Sequence, residues 1–200
     1  VTSRGDALAR RLGERLLTPA DAIGLDVRGR TQAAVLIALY LQGGHLHAVF
    51  TRRRDDLRRH PGEISFPGGR RDPEDDDLLT TALRETEEEI GLPREAVEVL
   101  GALQPTPTIA TGYAVYPFVG LIEPGRAWKL SPREVAAVLE LSFADLRAGH
   151  ARRRLLRRGL PVRTETYVVG DELIWGATAR MLSDLCDRLG ELDPAVQPGV

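Results

Sequence analysis

From Gln32 to Leu41 the chain is apolar almost without a break, through the run AAVLIALYL. An extended segment of that composition has no polar face to turn toward water, so both of its faces must be covered by other elements. A layered fold with a sheet in the middle meets that need. Gly43-Gly44 follows and permits a tight reversal, which predicts a partner strand over His45 to Arg52. Further strand-like patterns lie at Val97 to Leu103, Tyr113 to Ile122, Val135 to Leu141 and Val162 to Val169, with a short extended piece at Ile64 to Phe66.

Helical spacing predicts an amphipathic helix over residues 4 to 17, with Leu8, Leu12, Leu16 and Leu17 on its apolar side, and a closing helix from about Ala177 to Leu189. Between them Asp77 can cap a helix from about Leu78 to Ile90 that Gly91 ends and Pro93 keeps from resuming. Hairpin-paired strands, one central helix and a closing helix indicate the α/β class, as an α/β/α sandwich with a mixed central β-sheet. The 200 residues are expected to form a single domain, 1–200, with its core over 32–189 and a flexible tail over 193–200.

Composition narrows the partners. A formal net charge of -2 does not favour a long polyanion, so nucleic acid is not expected. The chain has no continuous apolar stretch long enough to span a bilayer and no secretory pattern, so no membrane is expected and the cytoplasm is the expected location. A single cysteine, Cys186, rules out an internal disulfide and a cysteine-based zinc cage, and its apolar helical setting suggests packing. Monomer and homodimer both remain open.

The segment Arg84-Glu85-Thr86-Glu87-Glu88-Glu89-Ile90-Gly91-Leu92 carries the most information. At 100° per residue Glu85, Glu88 and Glu89 share one face of the helix, while Leu79, Ala82, Leu83, Thr86 and Ile90 cluster on another. Like charges at this spacing cost an isolated helix roughly 0.2–0.5 kcal/mol per pair, so a compensating cation is implied. Oxygen-only ligands suit Mg²⁺ or Mn²⁺, which complete their shells with water and substrate phosphates. The competing reading is a solvated acidic face, since glutamate is a good helix former.

Context decides against that reading. Phe66-Pro67-Gly68-Gly69 stands just upstream, a turn whose bare backbone can approach a metal or a phosphate. Together FPGG, the acidic loop Asp72 to Asp77 and RETEEEIGL resemble the Nudix box, G-x5-E-x7-R-E-U-x-E-E-x-G-U with U aliphatic. The resemblance implies a Nudix-like sandwich in which Arg84 is the box arginine, Glu85, Glu88 and Glu89 are the metal-site glutamates and Gly69 offers its carbonyl to the metal. It implies metal-assisted hydrolysis of a nucleoside diphosphate derivative, with Glu85 as first choice of general base and Glu134, Glu165 and Glu172 in reserve. Two departures stand out: counting eight back from Arg84 reaches Asp76 in place of Glu, and Gly69 lies one residue farther upstream than the strict pattern. Thr86 also replaces the usual aliphatic residue.

A second signature precedes the box. Val49-Phe50-Thr51-Arg52-Arg53-Arg54, with Arg58, Gly62 and FPGG, is similar to the LLTxR…R…G…FPGG signature of the coenzyme A pyrophosphatase subfamily, with Arg54 at a position where that pattern has a small residue. Thr51, Arg53, Arg58 and Gly62 are therefore the candidate substrate-binding residues. Arginine suits the phosphates of coenzyme A because its planar fork binds phosphate bidentately, whereas RRRDDLRRH read alone is equally a solvated charge run. Ser131-Pro132-x-Glu134-Val135 and Ile174 to Ala179 also resemble that subfamily, with Trp175 either a core residue or a platform for a ligand ring. The reading reached is hydrolysis of coenzyme A to 3',5'-ADP and 4'-phosphopantetheine. A hydrolase of ADP-ribose, NADH or a dinucleoside polyphosphate is the second reading, and a non-catalytic nucleotide sensor the third.

Overall fold

The computed structural model describes residues 2–57, 60–108, 112–157 and 160–190. In chain order the elements are α1 (Thr2–Gly13), α2 (Pro19–Ile23), β1 (Thr31–Gln42), β2 (His45–Arg53), β3 (Ile64–Ser65), β4 (Gly68–Arg70) and α3 (Leu78–Ile90). After a 3₁₀ turn come β5 (Glu98–Ala102), β6 (Thr106–Pro107), β7 (Tyr113–Leu121), β8 (Val135–Ser142), α4 (Phe143–Ala148), β9 (His150–Arg157), β10 (Leu160–Val169), β11 (Glu172–Trp175) and α5 (Gly176–Leu189).

Among the described residues the main sheet has eight strands, ordered β3-β2-β1-β7-β5, with β4 added to β1, β6 to β7 and β8 to β2. The pairing is mixed: β1 runs antiparallel to β2 and parallel to β7. The apolar run behaves as its composition requires. Ala34, Leu36, Ala38 and Tyr40 pack with Leu78, Ala82 and Ile90 of α3, while Ala33, Val35, Ile37 and Leu39 belong to the core that holds Leu182, Leu185 and Leu189 of α5. Alternate residues of one strand thus serve two cores, and the molecule is an α/β sandwich with a mixed central sheet.

The expected N-terminal helix stops at Gly13, short of residue 17. Leu17 instead exchanges hydrogen bonds with Ala102, 3.0 Å from its N–H and 2.9 Å to its carbonyl, so sheet-edge pairing replaces the last helical turn. The expected elements do not include α2, β4, β6, α4, β9 or β11, and the last three have plain physical causes. The strand β9 reads HARRRLLR, too charged to show a period, and is extended because it pairs with β10 from His150 and Tyr167 to Arg157 and Leu160. The short β11 closes that three-stranded sheet, and α4 is started by Ser142, whose hydroxyl accepts from the Asp145 N–H at 3.1 Å. The tail at 193–200 lies outside the described residues. No described helix is long and apolar enough to cross a membrane.

Candidate active site

The FPGG segment is built into a split between two strands. Near the Gly43-Gly44 turn β1 and β2 pair directly, from Leu39 and Ala48 to Gln42 and His45. Farther along they part, and β3 pairs with Thr51 and Arg52 of β2 while β4 pairs with Ala33 to Val35 of β1. The segment is clamped on both sides, and the Leu36 N–H donates to the Pro67 carbonyl at 2.9 Å. Phe66 is buried and stacks on Phe50 with ring centroids 4.7 Å apart. Gly68 lies so close to β1 that a Cβ there would stand 2.3 Å from the Ala34 carbonyl oxygen.

The helix α3 delivers the carboxylates to this turn. Its start is fixed by Asp77, whose side chain accepts from the Thr80 N–H at 2.7 Å, and its end by Gly91, left-handed at φ 70°. Thr86, buried in the place of an aliphatic residue, returns its hydroxyl to the Ala82 carbonyl at 2.7 Å, so no polar atom is left unmet. Glu85 lies directly against Gly69: a Cβ on that glycine would meet the Glu85 carboxyl carbon at 2.4 Å. Glu89 accepts from the Gly68 N–H at 3.2 Å. Glu88 is more open, with 61% of its side chain exposed, and leans on Arg84 at 3.4 Å.

The electrostatics follow from that placement. Glu89 is 6% exposed, and burial pushes its carboxyl up to about 8 against the opposing pull of the Gly68 N–H and Arg53. Glu85 is raised as well, by burial first, with Arg84 lowering it and Glu88 and Glu134 raising it. A buried carboxylate crowded by other carboxylates lacks positive charge. Among the described residues no three acidic, histidine or cysteine side chains converge into a ready-made cation cage. Glu85 and Glu89 instead flank a bare glycine turn with Glu88 at the rim, an arrangement open to water and phosphate oxygens. Hard oxygen donors, unbalanced buried charge and an uncovered turn fit a divalent ion such as Mg²⁺ or Mn²⁺.

Arg84 ties the helix to the loop before it. The acid it pairs with is Asp75, one residue before the position reached by counting eight back: Arg84 Nε donates to Oδ1 at 2.9 Å and Nη2 to Oδ2 at 3.0 Å. Asp75 is buried and also accepts from the Asp72 N–H and the Thr81 hydroxyl, each at 2.9 Å. The remaining Arg84 nitrogen, Nη1, donates to Glu85 at 3.1 Å. Asp75 stands six residues after Gly69, as the G-x5-acid half of the box requires, so both departures in the sequence reduce to one extra residue between the acid and the arginine. Counting forward from Gly69 finds it; counting back from Arg84 does not.

The candidate substrate residues separate. The β2–β8 pairing shifts register between Arg52 and Arg53, and such a bulge re-aims a side chain. Arg53 stands 3.9 Å from Glu134, contributes to the field at Glu89, and has its Nε buried with no hydrogen-bond partner among the described residues. Glu134 in turn acts on both Glu85 and Glu89. Of the three reserve acids it alone meets the cluster. Glu165 is held by His150 at 2.8 Å and Arg152 at 3.4 Å, and Glu172 by Arg52 at 2.9 Å. Thr51 is buried with its hydroxyl 3.4 Å from Ser65, where it braces β3. Gly62 and Trp175 line a separate cleft of about 460 Å³ with Ile64, Leu155 and Leu173. Arg58 lies outside the described residues.

Comparison with known proteins bears on this geometry. The NUDIX domain family matches residues 30–159, a span that holds the split hairpin, α3 and Glu134. The chain belongs to the Nudix family. It is 38% identical over 167 residues to a protein of Enterobacter sp. (strain 638) named an uncharacterized Nudix hydrolase NudL, covering 82% of this chain and 86% of that one. A NudL of Photorhabdus laumondii is 39% identical over 143 residues, covering 70% and 76%. Among solved structures a MutT/nudix family protein from Enterococcus faecalis shares the fold at a TM-score of 0.53 and 15% identity, over 98% of this chain and 78% of that one. The Nudix hydrolase RenU of M. smegmatis matches at 0.51 and 20%, over 66% and 81%. This chain is accordingly a Nudix hydrolase acting on a nucleoside diphosphate derivative, in a family that generally works with divalent metal ions.

Proposed function

We propose that this Nudix hydrolase cleaves the diphosphate of coenzyme A, giving 3',5'-ADP and 4'-phosphopantetheine. The observation that carries the reading is the register of Thr51, Arg53, Gly62 and FPGG with the subfamily signature, in a fold where FPGG faces the glutamates of α3. Gly69, Glu85, Glu88 and Glu89 would hold Mg²⁺ or Mn²⁺. Bound there, the divalent ion supplies charge neutralisation of the diphosphate and stabilisation of the leaving phosphate.

The chain's own residues supply the rest. Water attacks one phosphorus, a new P–O bond forms, the bridging P–O bond breaks, and the proton of the water passes to a carboxylate. Glu85 is the first choice for that acceptor, because burial raises its proton affinity and its carboxyl lies against the bare Gly69 turn. Arg84, gripped by Asp75, fixes the rotamer of Glu85 through Nη1. Arg53, whose side chain is partly exposed beside Glu134, would offer its guanidinium to a diphosphate oxygen, and Glu134 would steady it.

The test is incubation of the protein with Mg²⁺ or Mn²⁺ and coenzyme A, ADP-ribose or NADH, with products separated by chromatography. Coenzyme A cleaved to the two named products supports the reading. Intact coenzyme A beside rapid cleavage of ADP-ribose or NADH moves the substrate to another nucleoside diphosphate derivative. Metal binding with no turnover of any diphosphate indicates a nucleotide sensor.

A further inference from the structure

The turn that carries Glu134 is exposed, yet it is held at both ends. At one end the Ser131 N–H donates to the Glu89 carbonyl at 2.8 Å, so the turn begins on the helix that bears the glutamates. The Glu134 and Val135 N–H groups fold back on the Ser131 carbonyl at 3.2 and 3.0 Å. At the other end the anchor is Arg54. Its backbone N–H donates to the Glu134 carbonyl at 3.1 Å, and its Nη1 donates to the Pro132 carbonyl at 2.7 Å.

The guanidinium is oriented for that second bond by Asp56. Nε and Nη2 of Arg54 donate to the two oxygens of Asp56, each at 2.8 Å, a two-pronged pairing that sets the guanidinium plane and leaves Nη1 for Pro132. Arg54 therefore bridges the end of β2 to the turn before β8, next to the residue pair Arg53 and Glu134. The backbone bond to Glu134 would survive a short side chain here, but the bond to the Pro132 carbonyl needs the guanidinium.

We infer that Arg54 is a positioning residue: with Asp56 it fixes the Ser131–Glu134 turn so that the Glu134 carboxylate stays beside Arg53 and the α3 glutamates. The inference rests on the reading of Glu134 as a member of the site. It assigns the role to fork geometry and not to charge. A lysine carries the same charge but has no planar fork to serve Asp56 and Pro132 together.

The experiment is a double-mutant cycle on turnover of whichever diphosphate the preceding assay identifies, using the full chain with Mg²⁺. Arg54→Ala is expected to lower kcat/KM about tenfold, since displacing a group by about 1 Å is worth up to two orders of magnitude. Arg54→Lys should do the same. Asp56→Ala, at a well-exposed position where folding is not at stake, should lower it about threefold through loss of the fork. In a Glu134→Gln background Arg54→Ala should cost nothing further. Additive losses in the double variant, or parental turnover in Arg54→Ala or Arg54→Lys, overturn the inference. Parental turnover in Glu134→Gln alone also overturns it, and locates the fault in the reading of Glu134.

Discussion

Asp75 grips Arg84 with both carboxylate oxygens, at 2.9 Å to Nε and 3.0 Å to Nη2, from a position where its own side chain is 3% exposed. The pair joins the loop before α3 to the arginine that orients Glu85. Removing one partner of such a buried pair leaves the other charge uncompensated, which costs about 3 kcal/mol or more, here lessened by the contact Arg84 keeps with Glu85. Asp75→Asn is expected to cost about 2 kcal/mol and lower the melting temperature by roughly 4–8 °C. Asp76→Asn, at an exposed position, should stay within about 0.5 kcal/mol of the parent. Thermal melts of the two variants check the contrast, and equal melting temperatures would return the box acid to Asp76.

The same pair sets a pH dependence. Arg84 and the Asp72 and Thr81 donors hold the Asp75 carboxyl well below the usual carboxylate range, Arg84 foremost, although burial opposes them. A carboxyl whose folded-state value is depressed contributes stability that is fully present above its unfolded value near about 4. That contribution fades as pH falls toward the folded value. Urea midpoints measured from pH 2.5 to 7 should therefore fall more steeply on the acid side for the parent than for Asp75→Asn. Parallel curves would mean that Asp75 titrates normally.

The central features of this fold were legible because each has a local cause. Nine consecutive apolar residues force a doubly covered strand, and Asp77 and Gly91 bound α3 as capping chemistry predicts. The carboxylate face followed from helical period alone. What sequence could not show depends on contacts between distant segments. The strand β9 is held by its partner β10 and not by its own pattern. The splitting of β1 from β2 exists only because FPGG wedges between them. Asp75 escaped because an insertion shifts the count, and burial, invisible in a spacing rule, is what distinguishes it from Asp72, Asp76 and Asp77. Glu134 was one of three reserve acids until the β2–β8 register set it beside Arg53.

The motif makes Arg53 a candidate for the phosphates of coenzyme A in general, and its location favours one of them. The side chain is 27% exposed, near Glu134 and within the field of Glu89, so on the proposed reading it would take the diphosphate and not a remote phosphate group. Arg53→Ala is thus expected to lower kcat/KM by about 10- to 100-fold on coenzyme A, through loss of a charge-assisted contact worth about 1.5–3 kcal/mol. The loss should be equal on dephospho-coenzyme A. A variant that loses activity only on the substrate bearing the 3'-phosphate would place Arg53 at that phosphate instead.

If Glu89 is a metal ligand, as proposed, it would meet opposite demands with and without the cation. Without a cation its buried charge is a burden, as the upward push to about 8 indicates. Glu89→Gln keeps the shape and removes the charge, so in excess chelator the variant should melt at or above the parental temperature at pH 8. With Mg²⁺ the order should reverse, because the parent gains binding energy that the variant lacks. Turnover should fall by about two orders of magnitude or more. A variant that gains as much from Mg²⁺ as the parent would remove Glu89 from the ligand set.

Gly69 offers the most local test of the turn. A methyl group there would stand 2.4 Å from the Glu85 carboxyl carbon and 2.5 and 2.6 Å from its oxygens, all inside contact distance. The carboxyl is hemmed in by Arg84 on one side and the turn on the other, and with 19% of the side chain exposed it has little room to yield. Gly69→Ala must therefore push Glu85 off the turn. The expected loss in kcat is about 100-fold, in keeping with a displacement of about 1 Å of a group at the reacting centre. The fold should survive, because a single small overlap near the surface costs about 1–3 kcal/mol. Turnover near the parental rate, with an unchanged melting temperature, would show that Glu85 works without its close approach to the glycine, and the turn would lose its place in the site.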